Sequence, residues 1–129
     1  MEHHLPLRVY YEDTDMAGVV YHANYLKYLE RGRSELVRAA GIDQGALREA
    51  GLVFVVRRIV ADYLKPARFE DDLVVETRLT ELRGASFRMD QRVLRGEEPL
   101  LTAEVLAALM TLSGRPARLP PELRQRLSP

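Results

Sequence analysis

Within the ten residues from 13 to 22 the chain sets Asp13, Asp15, Gly18 and His22, inside the run YYEDTDMAGVVYHANYLKY (residues 10–28). A carboxylate can attack a carbonyl carbon or take a proton from water. A peptide N–H at the start of a helix can polarise a carbonyl oxygen. A turn that holds one beside the other is a minimal site for acyl transfer. The same residues also have a plainer use, because an aspartate ahead of a helix caps it and suits the positive end of its dipole. Spacing bears on the choice. Helical periodicity starts near Ala23, so Asp15 stands about seven residues early, whereas a cap lies within one or two. Asn24, or the turn itself, is then expected to cap the helix, and Asp13 to brace the turn. Gly18 is expected to bend the chain so that Asp15 faces the helix end at His22.

Other chemistries find little support in the composition. There is no cysteine, which excludes a thiol nucleophile, a disulfide scaffold and cysteine metal sites. Of the three histidines, His3 and His4 sit at the start and are expected to be solvated, so no multi-histidine metal site is expected. No GxSxG elbow, Walker A loop or GxGxxG fingerprint occurs, and no cofactor is expected. Nineteen basic residues balance nineteen acidic ones, which speaks against nucleic-acid binding. No stretch reaches the ~18–20 apolar residues of a membrane span, so no integral membrane contact is expected. The start has no basic segment followed by an apolar one, as a secretory signal would, and a cytoplasmic location is expected.

The elements that must position the turn follow from periodicity. At 129 residues one domain over 1–129 is expected. LPLRVYYED reads as a strand that ends at Asp13. From Ala23 to Ala40, Tyr25, Leu29, Gly32, Leu36 and Ala40 recur on one helical face, and Gly41 stops the helix. Gly32 on that face costs about 1 kcal/mol against alanine and suits a close approach. A short helix follows with Asp43 as its cap. LVFVVRRIVADYLK is strand-like, with its alternation slipping at Arg57–Arg58 as at a bulge. LVVETRLTEL and FRMDQRVLR alternate cleanly around a turn at RGAS. LLTAEVLAALMTL is helical by propensity, yet its place after two hairpin-spaced strands favours a strand. PPELRQRL reads as a terminal helix. One strand, a long helix and four antiparallel strands make an α+β fold, and an uncovered strand edge invites a partner subunit.

The run RVYYEDTDMAGVVYHANYLKYLERGRSELVR resembles the signature of the 4-hydroxybenzoyl-CoA thioesterase family of hotdog-fold proteins. It is most similar to the branch of Tol-Pal-associated acyl-CoA thioesterases. The match runs through Arg8, Val9, Thr14, Asp15, Gly18, Val19, Val20, His22 and Tyr25. DYLKPARFEDDLVVET is similar to the family's middle strands. The resemblance implies an antiparallel sheet wrapped around a long central helix, and hydrolysis of an acyl-CoA thioester to free acid and CoA. It implies Asp15 as the catalytic carboxylate and the His22 peptide N–H as the donor to the thioester carbonyl, with Gly18 shaping the turn. Tyr11 and Tyr25 are candidates for the acyl pocket, with core packing the simpler use of Tyr25. Arg83 with Ser86, and Arg115 with Arg118, are candidates for the CoA phosphates. The expected partners are acyl-CoA or an acyl carrier protein and further copies of the chain, as a homodimer or homotetramer. Association with lipid-metabolism proteins is a further expectation of this reading. The competing reading is a non-catalytic acyl-thioester-binding or interaction protein of the same fold.

Overall fold

The computed structural model describes residues 1–128. The chain runs β1 (Glu2–Arg8), a 3-10 turn (Tyr11–Asp13), α1 (Asn24–Ala39), α2 (Gln44–Glu49), β2 (Leu52–Tyr63), β3 (Asp72–Leu82), β4 (Ser86–Arg95), β5 (Glu98–Thr111) and α3 (Pro121–Arg126). The five strands form one antiparallel sheet in the order β1-β3-β4-β5-β2. The helical face expected from periodicity is the one that is buried: Tyr25, Leu29, Gly32 and Leu36 all pack inward. The first half of α1 shares a core with Leu73, Val75, Val93 and Leu101, and the second half with Leu79, Phe87, Met89 and Leu109. The sheet therefore covers the helix along its length, which is the hotdog architecture.

Gly32 sits where helix and sheet are closest. A Cβ there would lie 2.6 Å from Val75 Cγ1 and 2.8 Å from Thr77 Oγ1. At the far end of α1 the chain turns through Gly41 at φ +82°. The Gly41 N–H donates to Arg38 O at 2.9 Å and the Ile42 N–H to Val37 O at 3.2 Å, a Schellman ending that a Cβ would strain. Asp43 caps α2 as expected, accepting from the Ala46 N–H at 3.1 Å.

The run 98–111 is a strand despite its leucines and alanines, because β4 pairs with it on one side and β2 on the other. The alternation slip in β2 is a real register shift between Val56 and Arg58.

The first strand departs from expectation at both ends. It begins at Glu2, because β3 offers a free edge to residues 2–8, and His3 and His4 are ladder residues there. His3 is half-buried rather than solvated. The strand stops at Arg8, not at Asp13. The Asp13 Oδ2 accepts from the Tyr10 N–H at 2.9 Å and the Asp13 N–H donates to Tyr10 O at 3.0 Å, so local bonds turn the chain where a ladder would have extended it.

Candidate active site

Residues 13–21 fold back on themselves. The Asp15 N–H donates to Val19 O at 2.9 Å, Thr14 bridges Val20, and the Tyr21 N–H donates to Asp13 O at 2.9 Å. At the tip, the Gly18 N–H donates to Asp15 O at 3.0 Å, and Gly18 stands at φ +78°, where glycine is favoured. This small hairpin holds Asp15 outside the helix, exposed. One carboxylate oxygen, Oδ1, accepts from the Ala17 N–H at 2.9 Å. Among the described residues, Oδ2 accepts no hydrogen bond and is open. Asp13 braces the hairpin from inside, as its type and place suggested.

Asn24 does not cap α1. It is the first helical residue, and the N-cap position is Ala23, whose side chain makes no cap hydrogen bond. The Asn24 Nδ2 instead donates to Asp13 O at 2.8 Å, which ties the hairpin to the helix. The helix start thus has no side-chain cap on its N–H groups. Among the described residues, the His22 and Ala23 peptide N–H groups find no acceptor. The Tyr21 carbonyl accepts from the Asn24 N–H at 2.8 Å, and the His22 carbonyl accepts from the Tyr63 hydroxyl at 2.8 Å. The His22 ring is exposed and lies 4.5 Å from the Tyr21 ring, centroid to centroid.

The β2–β3 loop grips the junction from the other side. The Val20 N–H donates to Ala67 O at 2.8 Å, and the Ala67 N–H donates to Tyr25 Oη at 2.9 Å. Arg95 fixes the loop, donating from Nη1 to Asp71 Oδ2 at 2.8 Å and to Pro66 O at 3.3 Å. Tyr25 is buried, and burial raises the pKa of its hydroxyl, with the Ala67 bond opposing. In this chain it is a strut between helix and loop. Tyr28 lies edge-on to it, and burial raises its hydroxyl pKa further, with the nearby Asp13 carboxylate adding to the effect. Tyr11 lies on the 3-10 turn rather than on a strand. It is strongly exposed at 80%, with its ring 6.2 Å from Phe69.

The arginine candidates gather elsewhere. Gly84 O accepts from the Leu119 N–H at 2.8 Å, the Ala85 carbonyl from the Leu109 N–H at 2.9 Å, and the Arg83 carbonyl from Arg124 Nη1 at 2.6 Å. These bonds pin β5 and the segment after it onto the β3–β4 hairpin. Arg83, Ser86 and Arg118 therefore share one end of the molecule, and a Cβ on Gly84 would lie 3.4 Å from Arg118 Nη1. Arg115 follows closely, with its N–H 3.2 Å from Thr111 Oγ1. Arg83 Nε is paired with Glu81 at 2.9 Å.

That end is not the Asp15 end. The hairpin closes against Thr14, Val20 and Ala67, beside the start of β3, whereas Arg83 follows the end of β3. The 11 residues of β3 separate them by roughly 30 Å. Within one chain the hairpin that carries Asp15 is tied to the helix start through Asp13 O, and three of the arginine-end residues lie together, but the two groups do not meet.

Sequence reasoning missed Tyr63 and Ala67. Neither carries a local signal, since each acts on residues about forty positions earlier through the register of β2 and its loop. For a metal, the one cluster of three ligand-type side chains among the described residues is Glu2, His4 and Glu76. Its most buried member, Glu76, is already held by Arg92 at 2.8 and 2.9 Å.

The family model described as "Thioesterase-like superfamily" matches residues 9–127. The chain is 44% identical to "Acyl-CoA thioester hydrolase YbgC" of Escherichia coli over 117 residues, which is 89% of this chain and 87% of that protein. It is 42% identical to "Acyl-CoA thioesterase YbgC" of Haemophilus influenzae over 121 residues, 92% of this chain and 89% of that one. The crystal structure of a probable thioesterase from Bartonella henselae superposes with a TM-score of 0.88 at 44% identity, covering 93% of this chain and all of the other.

Proposed function

The chain belongs to the thioesterase-like superfamily and is an enzyme, a thioester hydrolase; on that premise we propose that it cleaves acyl-CoA with Asp15 and the His22 peptide N–H as its reacting groups. The observation that carries this is the uncapped start of α1 beside a hairpin that leaves Asp15 Oδ2 open. The thioester carbonyl oxygen accepts from the His22 N–H, which favours the negative charge that builds there as the carbonyl carbon becomes tetrahedral. Asp15 Oδ2 attacks that carbon, or takes a proton from the water that does. In both routes the C–S bond breaks, CoA leaves as the thiol, and water supplies the oxygen of the free acid.

The arginine end completes the site from a second copy. The two groups lie at opposite ends of β2, whose Tyr63 end carries the clamp on His22 and whose Leu52 end pairs with Thr111 beside Arg115. β2 is an edge strand with Val56, Val60 and Tyr63 exposed. Two copies paired antiparallel along β2 bring one chain's His22 end to the other's arginine end. Arg83, Ser86, Arg115 and Arg118 then take the CoA phosphates across a homodimer, alone or within a homotetramer, while Tyr11 lines the entry for the acyl group. In the same reading the substrate is met in the cytoplasm, on CoA or on an acyl carrier protein.

Purified protein offered short, long and aromatic acyl-CoAs and acylated carrier proteins is expected to release free thiol from at least one. Silence across that whole panel contradicts the proposal.

A further inference from the structure

The proposed reaction leaves Tyr63 without a part. It is the last residue of β2, half-exposed, on an edge strand, and 41 positions from the carbonyl it binds. Its hydroxyl donates to His22 O at 2.8 Å. Its ring stands edge-to-face on Tyr25, with centroids 5.4 Å apart and planes at 87°, and meets the His22 ring edge-on at 6.5 Å. Tyr25 is buried and fixed by Ala67, so the Tyr63 ring rests on a rigid support.

The target carbonyl is unusual for its place. In a regular helix start the His22 carbonyl would accept from the Leu26 N–H, but that N–H donates to Ala23 O at 3.2 Å. The peptide plane between His22 and Ala23 therefore lacks its helical anchor, and Tyr63 supplies one. Because a peptide is planar and trans, holding the C=O at one end fixes the N–H at the other. That N–H belongs to Ala23, and among the described residues it is free. The preceding plane is held in the same manner: Tyr21 O accepts from the Asn24 N–H, and the His22 N–H is free. Donation into a carbonyl also polarises its peptide and strengthens the N–H opposite.

We propose that Tyr63 is a positioning residue of the thioester site: its hydroxyl orients and polarises the His22–Ala23 peptide, so that the Ala23 N–H joins the His22 N–H as a second donor to the thioester carbonyl oxygen. This rests on the hydrolase reading above, with the His22 N–H as first donor. It extends that reading in two ways. The oxyanion is held by two donors, and the aim of the second is set by a residue remote in sequence on the sheet edge. A donor aimed at the transition-state oxygen acts on kcat more than on ground-state binding.

The test is Tyr63→Phe, which keeps the ring and its stacking on Tyr25 and removes only the hydroxyl. The thermal midpoint is expected to stay near that of the wild type. On the best substrate of the panel, kcat is expected to fall on the order of tenfold, with KM nearly unchanged. In 1H–15N spectra of the unliganded protein the Ala23 amide resonance is expected to move upfield, while the Asn24 amide stays in place. An unchanged kcat in an active background overturns the proposal, as does a rise in KM at constant kcat, which makes Tyr63 a substrate contact instead. If the wild type cleaves no thioester, the hydrolase reading fails on its own. The Ala23 resonance then decides: a stationary peak refutes the clamp, and a shifted one retains it as a device of the helix start.

Discussion

Asn24 shows how little a residue's type fixes its task. Asn24 looks like a cap and is a tether; its Nδ2 holds the Asp13 carbonyl and leaves the helix start bare. Asp13 was expected to brace the turn, and it closes the turn onto the Tyr10 N–H. In the proposed reaction the uncapped helix start receives the carbonyl oxygen, and there the tether serves the chemistry indirectly. Asn24→Ala is expected to cost about 1 kcal/mol of stability, the worth of one part-buried hydrogen bond. It is also expected to lower kcat several-fold as the hairpin loosens. Thermal melts and steady-state kinetics of the same preparation check both. The placement of Asp15, Gly18 and His22 on one turn ahead of the helix was legible because they lie within one short run. Tyr63 and Ala67 were not, because hydrogen bonds over about forty residues depend on strand register, which a single sequence does not display.

Among the elements, α1 and its glycine were the most readable. The buried stripe of α1 follows the helical period, and Gly32 marks the closest approach of the sheet. The reason for the glycine was visible only in part. The partners are the side chains of Val75 and Thr77, with Gln91 Nε2 at 3.2 Å. Gln91 is itself committed, donating to Leu29 O at 2.9 Å and to Thr77 Oγ1 at 2.8 Å while accepting from Arg33 Nη1 at 3.0 Å. A new methyl group cannot displace that network cheaply. Gly32→Ala is expected to destabilise the fold by about 1–3 kcal/mol, despite alanine's better helix propensity, as read from chemical denaturation. A stabilised variant would contradict the packing described. The first strand was the least readable element. Its true limits depend on an edge offered by β3 and on two hydrogen bonds at Asp13, and neither leaves a periodic signal.

At the scale of the whole molecule, charge pairs link the strands on which the site rests. Arg92 on β4 binds Glu76 on β3 through two nitrogens, and His4 on β1 lies 3.9 Å from the same carboxylate. These hydrogen bonds hold the Glu76 carboxyl below the ordinary 4.5. Burial opposes the shift, and the charges of Arg92, His4 and Arg78 assist it. A carboxylate depressed in the folded state stabilises above its unfolded pKa, and that contribution is lost as pH falls through the depressed value. Glu76→Gln is therefore expected to lose on the order of 1 kcal/mol at pH 7, a figure moderated by the half-exposed Arg92. It is also expected to show a shallower fall in melting temperature than the wild type below about pH 4.5. Parallel acid curves for the two proteins would contradict this linkage.

The separation of the candidate residues between the two ends of β2 is likewise a property of the whole. Sequence placed the carboxylate and the arginines as candidates, but their roughly 30 Å separation follows from topology. Everything proposed for the reaction passes through one oxygen, Asp15 Oδ2, on an exposed turn whose other oxygen is tied to Ala17. The most direct measurement is the rate of thiol release from the best acyl-CoA of the panel by Asp15→Asn beside the wild type. Asparagine preserves the acceptor to the Ala17 N–H and so the hairpin, but can neither attack carbon nor take a proton. The expected result is a loss of about 10²- to 10⁴-fold in kcat with an unchanged melting temperature. A variant that folds normally and retains wild-type turnover would contradict it.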